Sequence, residues 1–291
     1  MKKTQRLNLT ASIAIAWIVG MSALFVSGQA TAEVIFQDDF NTGGILKKLN
    51  GAAFWSNNSS SSIPPGATGR STITVKPETT SGDFSVRALY VGSVDLTADA
   101  RPELRFNLGG QYPELWISFR VYIPQNYFHR IPIGTGNNKF FILYDNSSTP
   151  ASSIQYIDLE AWPRGDGSDR VGMQWKYNGA PQGWKYPPKD WTLGAPEDRG
   201  KWHNYVLHYK LSTSATANNG VVQVWKNGTQ VLDIQNLPNY TPTSNHFGWG
   251  YIFGASNSGF NVDTELRLDD IVFSDSPIGL NGPVVTNVQV R

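Results

Sequence analysis

Side chains able to do chemistry gather on stretches of this chain that alternate in polarity. In residues 114–124, ELWISFRVYIP, Leu115, Ile117, Phe119, Val121 and Ile123 share one parity. Glu114, Trp116, Ser118, Arg120 and Tyr122 share the other. Successive strand side chains point to opposite faces, so this is a strand with one face in a core and one toward water. The wet face carries Trp, Arg and Tyr where a merely soluble strand would carry Thr, Ser, Lys and Glu. Aromatic rings stack on the C–H faces of sugars, and a guanidinium meets a carboxylate or sulfate with two hydrogen bonds. The competing reading is aromatics that support neighbouring strands.

Two later stretches repeat the pattern. In residues 152–162, Ile157, Leu159 and Ala161 face inward, and Tyr156, Asp158, Glu160 and Trp162 face out. In residues 170–177, Val171, Met173 and Trp175 face inward, and Arg170, Gln174 and Lys176 face out. As neighbours, the three strands would line one groove with aromatic walls and a polar floor. Between the first and second lies the loop 125–138, QNYFHRIPIGTGNN, which offers His129 and Arg130 at the edge of that face.

The elements that must position these residues are short strands. Residues 1–32 read as a signal peptide: Lys2, Lys3 and Arg6 precede an apolar run from Ala11 to Val26, and Ala30-Thr31-Ala32 offers a cleavage site. The chain is thus expected to be exported from a bacterial cell, to the periplasm or beyond. No second apolar run of about 18 residues follows, so no membrane association is expected after cleavage. With no cysteine there are no disulfides, and the fold must rely on its core. Past the signal, 21 basic residues face 23 acidic ones, a balance that argues against a nucleic-acid partner. Aromatics at 12% with 28 Gly and 17 Pro suggest many strands separated by turns, and no helical periodicity is found. The expectation is one all-β domain over 33–280 and a tail over 281–291, the whole a monomer.

Along the chain, strands are expected at 34–40, 71–75, 84–91 and 102–107, the last broken off by Gly109-Gly110. Residues 138–145 form a strand of ambiguous parity, apolar on both sides, with Lys139 able to face either way. Residues 56–70 and 178–200 read as loops, the second packing over the domain or walling the groove. Strands at 201–212, 221–234, 246–256 and 265–275 complete the set, and Asn227-Gly228 marks a type I′ hairpin. A final short strand is expected at 284–290. His203 and His208 fall on a strand assigned to the back sheet, and His246 precedes an aromatic strand. The acids Asp38, Asp39, Asp269 and Asp270 would converge if the first and last strands pair. They would then suit a structural Ca²⁺, the alternative being turn-capping and salt pairing; no cofactor is required.

The runs RGKWHNYVLHYKL, NGVVQVWKNGTQVLDIQN and LRLDDIVFSDSPIG, with VIFQDDFNTG near the start, resemble the concanavalin A-like lectin/glucanase jelly rolls. Among these the chain looks most like the secreted lyases that cleave heparin, alginate or glucuronan. The resemblance implies a jelly-roll sandwich of two antiparallel sheets whose concave face binds glycan. It implies an acidic polysaccharide as partner and β-elimination as the reaction. In that chemistry a cation or amide neutralises the uronate carboxylate, a base removes the C5 proton and an acid protonates the leaving oxygen. Arg120 and Gln174 would neutralise, Tyr156, Tyr122 or His129 would act as base or acid, and Lys176 would add a carboxylate contact. Trp116, Tyr122, Asp158, Glu160 and Trp162 would bind the chain. The alternative function is a non-catalytic, lectin-like binding module. A glycoside hydrolase fits less well, because the E-x-D-x-E pattern of that superfamily has Tyr156 in its first position, which breaks the carboxylate pair.

Overall fold

Alternation and turn chemistry are realised in a computed structural model. It describes residues 34–45, 53–57, 59, 62–79, 82–131, 137–144, 156–177, 180–185, 191–240, 246–257 and 259–280. The chain divides into two compact units, Met1–Thr31 and Ala32–Arg291, and all the elements below belong to the second. In order they are β1 Val34–Asp38, β2 Ala53–Asn57, β3 Thr72–Pro77, β4 Phe84–Tyr90, β5 Leu104–Tyr112, β6 Glu114–Ile123, β7 Asn138–Tyr144 and β8 Tyr156–Pro163. There follow β9 Asp169–Tyr177, β10 Ala180–Lys185, β11 Thr192–Leu193, β12 Lys201–Lys210, β13 Gly220–Lys226, β14 Thr229–Leu237, β15 Phe247–Ile252 and β16 Thr264–Ser274. The described residues contain no α-helix, only a 3-10 turn at Pro196–Asp198.

These strands make two eight-stranded antiparallel sheets. The first runs β14-β13-β12-β6-β16-β4-β3, with β1 also on β16. The second runs β10-β9-β8-β7-β15-β5-β2, with β11 also on β9. The sheets face each other as a jelly-roll sandwich. Phe119 of the first stacks on Phe141 of the second at 5.7 Å, and Phe273 of the first lies 4.7 Å from Phe106 of the second. Leu115, Ile117, Phe119, Val121, Ile123, Leu159, Ala161, Val171 and Met173 are all buried in that core, on the parity their alternation demands. Each of these side chains larger than alanine stabilises the fold by about 1.5–3 kcal/mol. The hairpin between β13 and β14 turns at Asn227 and Gly228, with φ of 51° and 76°. Both values are positive, as a type I′ turn requires.

Several expectations change. The expected strand 102–107 is not stopped by Gly109-Gly110. It continues as β5 to Tyr112, because Gly109 takes a φ of 70° and passes the chain through without ending the pairing. Strand β2 arises just before the Ser/Asn-rich stretch, with Trp55 buried against Phe36 and Phe106. The expected loop 178–200 supplies β10 and β11, which extend the second sheet beyond β9. The expected strand at 284–290 lies outside the described residues.

Candidate active site

The groove expected from β6, β8 and β9 does not exist as one surface. Strand β6 sits between β12 and β16 in the first sheet, while β8 and β9 are neighbours in the second. Their outward faces lie on opposite sides of the core. Trp116, Arg120 and Tyr122 are therefore separated from Asp158, Glu160, Trp162 and Gln174, and the two groups cannot line one groove.

On the first sheet the expected binding residues are consumed by one another. The Arg120 guanidinium donates to Asp269 at 2.7 Å, lies 3.0 Å from Asp270, and sits 5.0 Å from the Trp202 ring. Arg120 is thus engaged and unsuited to neutralising a substrate carboxylate. Trp116 is stacked on His208 at 4.0 Å and beside Trp225 at 5.9 Å, while Glu114 and Gln223 bind the two nitrogens of that histidine. Tyr122 lies against Trp202 and under Arg267, which binds Glu78. These aromatics pack their own sheet. His203, on the same β12, is held by Asp198 and Asn227.

His129 is fully enclosed, not a groove residue. Its Nδ1–H donates to Asp169 at 2.7 Å, its Nε2 accepts from Ser256 Oγ at 2.9 Å, and its ring stacks on Phe260. The order Ser–His–Asp has the distances of a hydrolytic triad, but all three side chains are buried and no substrate carbonyl could reach Ser256. The chain of hydrogen bonds instead pins the loop after β6. Ser256 also pairs through its backbone with Ala100, at the entrance to β5, and bridges to Asn138 at the start of β7.

The four acids are placed by the β1–β16 pairing, which sets Asp38 opposite Ile271. Asp38 turns inward and accepts from the Phe40 amide and Trp55 Nε1. Burial, the largest influence, pushes its carboxyl up to about 6. Asp39 caps Asn41, and Asp269 and Asp270 take Arg120. Among the described residues no group of three or more His, Asp or Glu side chains is spaced to hold a metal ion.

The outward face of the second sheet is a different surface, and cross-strand register makes it. One row reads Ser56, Arg105, Tyr251, Ile142, Asp158, Gln174 across β2, β5, β15, β7, β8 and β9. The adjacent row reads Asn107, Trp249, Tyr144, Tyr156, Lys176. On the other side, Lys139, Glu160 and Gly172 are aligned. The backbones of Tyr156 and Lys176 thus hold the expected positions, and Trp162 pairs with Arg170 at the far end of β8.

Arg105 is anchored through Nε by the buried Glu103, which also takes Arg101 at 3.1 Å, and its guanidinium lies 5.7 Å from the Trp249 ring. Trp249 stacks on Tyr144 at 4.3 Å. The Tyr144 and Tyr251 rings lie 6.0 Å apart. Burial first, then the nearby Tyr144, Asp158 and Glu103, holds the Tyr251 hydroxyl well above the usual tyrosine range, so it is a proton donor at neutral pH. Its ring lies over Gly254, where an added Cβ would fall 2.3 Å from the ring and 3.0 Å from Lys139 Cβ. Glycine there lets Tyr251 lie down beside Lys139. Asp158 and Glu160 lie two residues apart on β8, and both are buried. Burial and the adjacent Glu160 push the Asp158 carboxyl far up, partly offset by Lys139. Asn137 donates to Glu160.

Arg105, Lys139, Tyr144, Trp249 and Tyr251 are not among the site residues that the sequence suggests. The signal for Arg105 is present: Leu104, Phe106 and Leu108 alternate inward against Glu103, Arg105 and Asn107. For β7 and β15 it is hidden, because register shifts interrupt both strands. Phe140 and Phe141 both enter the core, and the shift between Phe247 and Trp249 sends residues of equal parity to opposite faces.

A family model described as polysaccharide lyase matches residues 47–254, a span that contains this whole face. The chain belongs to that family. It is an enzyme of the polysaccharide lyase class, not a bare binding module. Among solved structures it is similar to an endo-β-1,4-glucuronan lyase from the fungus Trichoderma reesei, at 12% identity and a TM-score of 0.52, covering 77% of this chain and 96% of that one. It is also similar to a Bacteroides ovatus mixed-linkage glucan GH16 protein, again at 12% identity and a TM-score of 0.52, covering 82% and 100%. At such identities these likenesses show the fold alone. No curated protein matches the chain.

Proposed function

We propose that this lyase is exported and cleaves a uronate-containing polysaccharide by β-elimination on the outward face of its second sheet. The observation that carries the reading is the row joining Arg105, Tyr251 and Asp158, with Lys139 beside the Tyr251 ring. Arg105 and Lys139 stand on the two strands that flank the strand of Tyr251, whose hydroxyl stays protonated. Arg105 and Lys139 meet the uronate carboxylate and lower the barrier to losing the C5 proton by stabilising the charge that develops there. Tyr251 protonates the oxygen that leaves C4. Trp249 and Tyr144 form an aromatic wall suited to the C–H face of a neighbouring sugar. Export rests on the signal-peptide pattern of residues 1–32.

The test is ultraviolet absorbance of unsaturated uronate ends, with the purified chain and a panel of glucuronan, alginate, heparinoids and a neutral β-glucan. The expected result is product from at least one uronate polymer, lost in Arg105→Ala and Tyr251→Phe. Absence of product across the acidic members would overturn the uronate assignment, and cleavage of the neutral glucan alone would replace it.

A further inference from the structure

Around the start of β5 the ratio of cations to acids is the reverse of that on the first sheet. There one guanidinium meets two carboxylates. Arg120 holds Asp269 and Asp270, Arg87 holds Glu78 and Glu265, and Arg267 reaches the same two glutamates. At β5 one carboxylate holds two guanidiniums. Glu103 Oε1 accepts from Nε of Arg105, and its Oε2 takes Nε and Nη2 of Arg101, each at 3.1 Å. Among the described residues Glu103 is the one acid that pairs with either arginine. One cation suffices to neutralise a buried carboxylate, so the second is surplus positive charge fixed on this face.

Local sequence explains why the surplus is held in place. Arg101 precedes Pro102, and the proline ring keeps the Arg101 backbone extended. Residues 101, 103 and 105 then share one parity, opposite the core residues Leu104 and Phe106. The Arg101 amide donates to the buried Ser71 hydroxyl at 3.1 Å, and Ala100 before it exchanges two backbone hydrogen bonds with Ser256. Glu103 is 2% exposed, whereas the Arg101 and Arg105 side chains remain 42% and 25% exposed. Pairing through Nε leaves both terminal nitrogens of Arg105 for a ligand, and Arg101 keeps Nη1. One carboxylate separates the two heads, so together they reach groups on one sugar or on adjoining sugars.

We propose that Arg101 forms a second anion subsite beside Arg105, for the carboxylate or sulfate of the sugar adjoining the one that reacts. This inference rests on the reading of this face as the substrate surface. Arg105 takes the reacting uronate carboxylate, and Arg101 takes the next oxyanion along the chain through the guanidinium edge that Glu103 leaves open. Glu103 is the positioning residue for both, because its charge lets two guanidiniums that repel each other stand side by side. The pair favours polymers whose acidic groups follow one another and gains nothing from a neutral neighbour.

The experiment is affinity electrophoresis of the full mature chain in gels holding one of three polymers. Glucuronan carries a carboxylate on every sugar, unsulfated heparosan alternates glucuronate with a neutral sugar, and N-sulfated heparosan puts a sulfate on that neighbour. Every protein carries Tyr251→Phe, so that polymer is not consumed. Adding Arg101→Ala is expected to weaken binding to glucuronan about fivefold, the size that a half-exposed ion pair supports, and to leave heparosan binding within about twofold. Arg101→Lys, which keeps the charge, should recover part of the loss. A loss on N-sulfated heparosan as well means that the subsite accepts either oxyanion, and a loss there alone assigns it to sulfate. Glu103 keeps Arg105 in the Arg101 variants, and thermal unfolding near the parent qualifies each as folded. Losses of equal size on glucuronan and unsulfated heparosan would mean that Arg101 acts only by holding Glu103. That result, or losses below about threefold on both charged-neighbour polymers, would overturn the inference. Unsaturated product from the wild-type chain without a selective Arg101 loss leaves the elimination reading standing and removes this one. A selective loss in a chain that makes no unsaturated product keeps the subsite and removes the elimination reading.

Discussion

The outward faces of the two sheets draw on the same residue types and come to opposite ends. On the first, Trp116, Tyr122, Trp202, Trp225, Arg120 and Arg267 stand beside Asp269, Asp270, Glu78 and Glu114, and each charge there finds its opposite. On the second, Trp249, Tyr144, Tyr251, Arg105 and Lys139 stand beside Glu103, which holds Arg105 through Nε, and beside Asp158 and Glu160, two buried acids on one strand. Composition therefore does not distinguish a packing face from a reacting one. What distinguishes them is how far each cation is closed in by carboxylates. Arg120 is held by two, Asp269 and Asp270, whereas Arg105 is held through Nε by Glu103 and stands beside a tyrosine kept protonated, a chemically poised arrangement.

Equivalent substitutions on the two faces break this comparison most sharply. Arg105→Ala and Tyr251→Phe should each lower kcat/KM by about 10²–10⁴-fold, since each removes a group aimed at the reacting centre. Arg120→Ala and Trp116→Ala should leave kcat/KM within a few-fold and act on the unfolding midpoint instead, because Arg120→Ala leaves Asp269 buried and unpaired. Rate assays and denaturant melts on the same four proteins decide the matter. Equal rate losses on both faces would remove the distinction.

A second contrast lies within the histidines. His129→Ala should destabilise the fold by about 3 kcal/mol, because Asp169 and Ser256 lose a buried partner. Below its melting temperature the variant should still turn over substrate. A variant that is stable but inactive would instead place His129 in the reaction.

Much of this is legible in the sequence, and the failures have physical causes. Alternation sorts inward from outward residues on β6, β8 and β9, and Asn227-Gly228 fixes a hairpin, because both are local properties of the chain. Assignment of β6 to a sheet is not local. Its partners β12 and β16 lie far along the chain, and nothing in ELWISFRVYI names them. Arg120 therefore looks like a ligand for a carboxylate when its carboxylates are already present in DDI. The register shifts in β7 and β15 hide Tyr144, Trp249 and Tyr251, because a parity count fails at every irregular residue. Glu160 and Asp158 are legible as outward residues, but their burial belongs to the folded face.

The smallest expected effect tests the closed face by pH. Burial, reinforced by Asp270, raises the Asp269 carboxyl to about 7 despite the pull of Arg120. Between about pH 4 and about pH 7 the folded state thus holds a proton that the unfolded chain has already released. A raised carboxyl makes the folded state less favoured as pH climbs through that window. A tenfold change in a carboxyl's proton affinity corresponds to about 1.4 kcal/mol, and the coupling to Asp270 and Arg120 spreads the change over several groups. Asp269→Asn removes this titration, so the variant should gain on the wild type as pH rises from about 4 to 7, by about 1–3 kcal/mol. Denaturant midpoints across that range measure it. Parallel pH curves for the two proteins would mean that Arg120 holds Asp269 ionised throughout, and that the first sheet is closed by full charges and not by a shared proton.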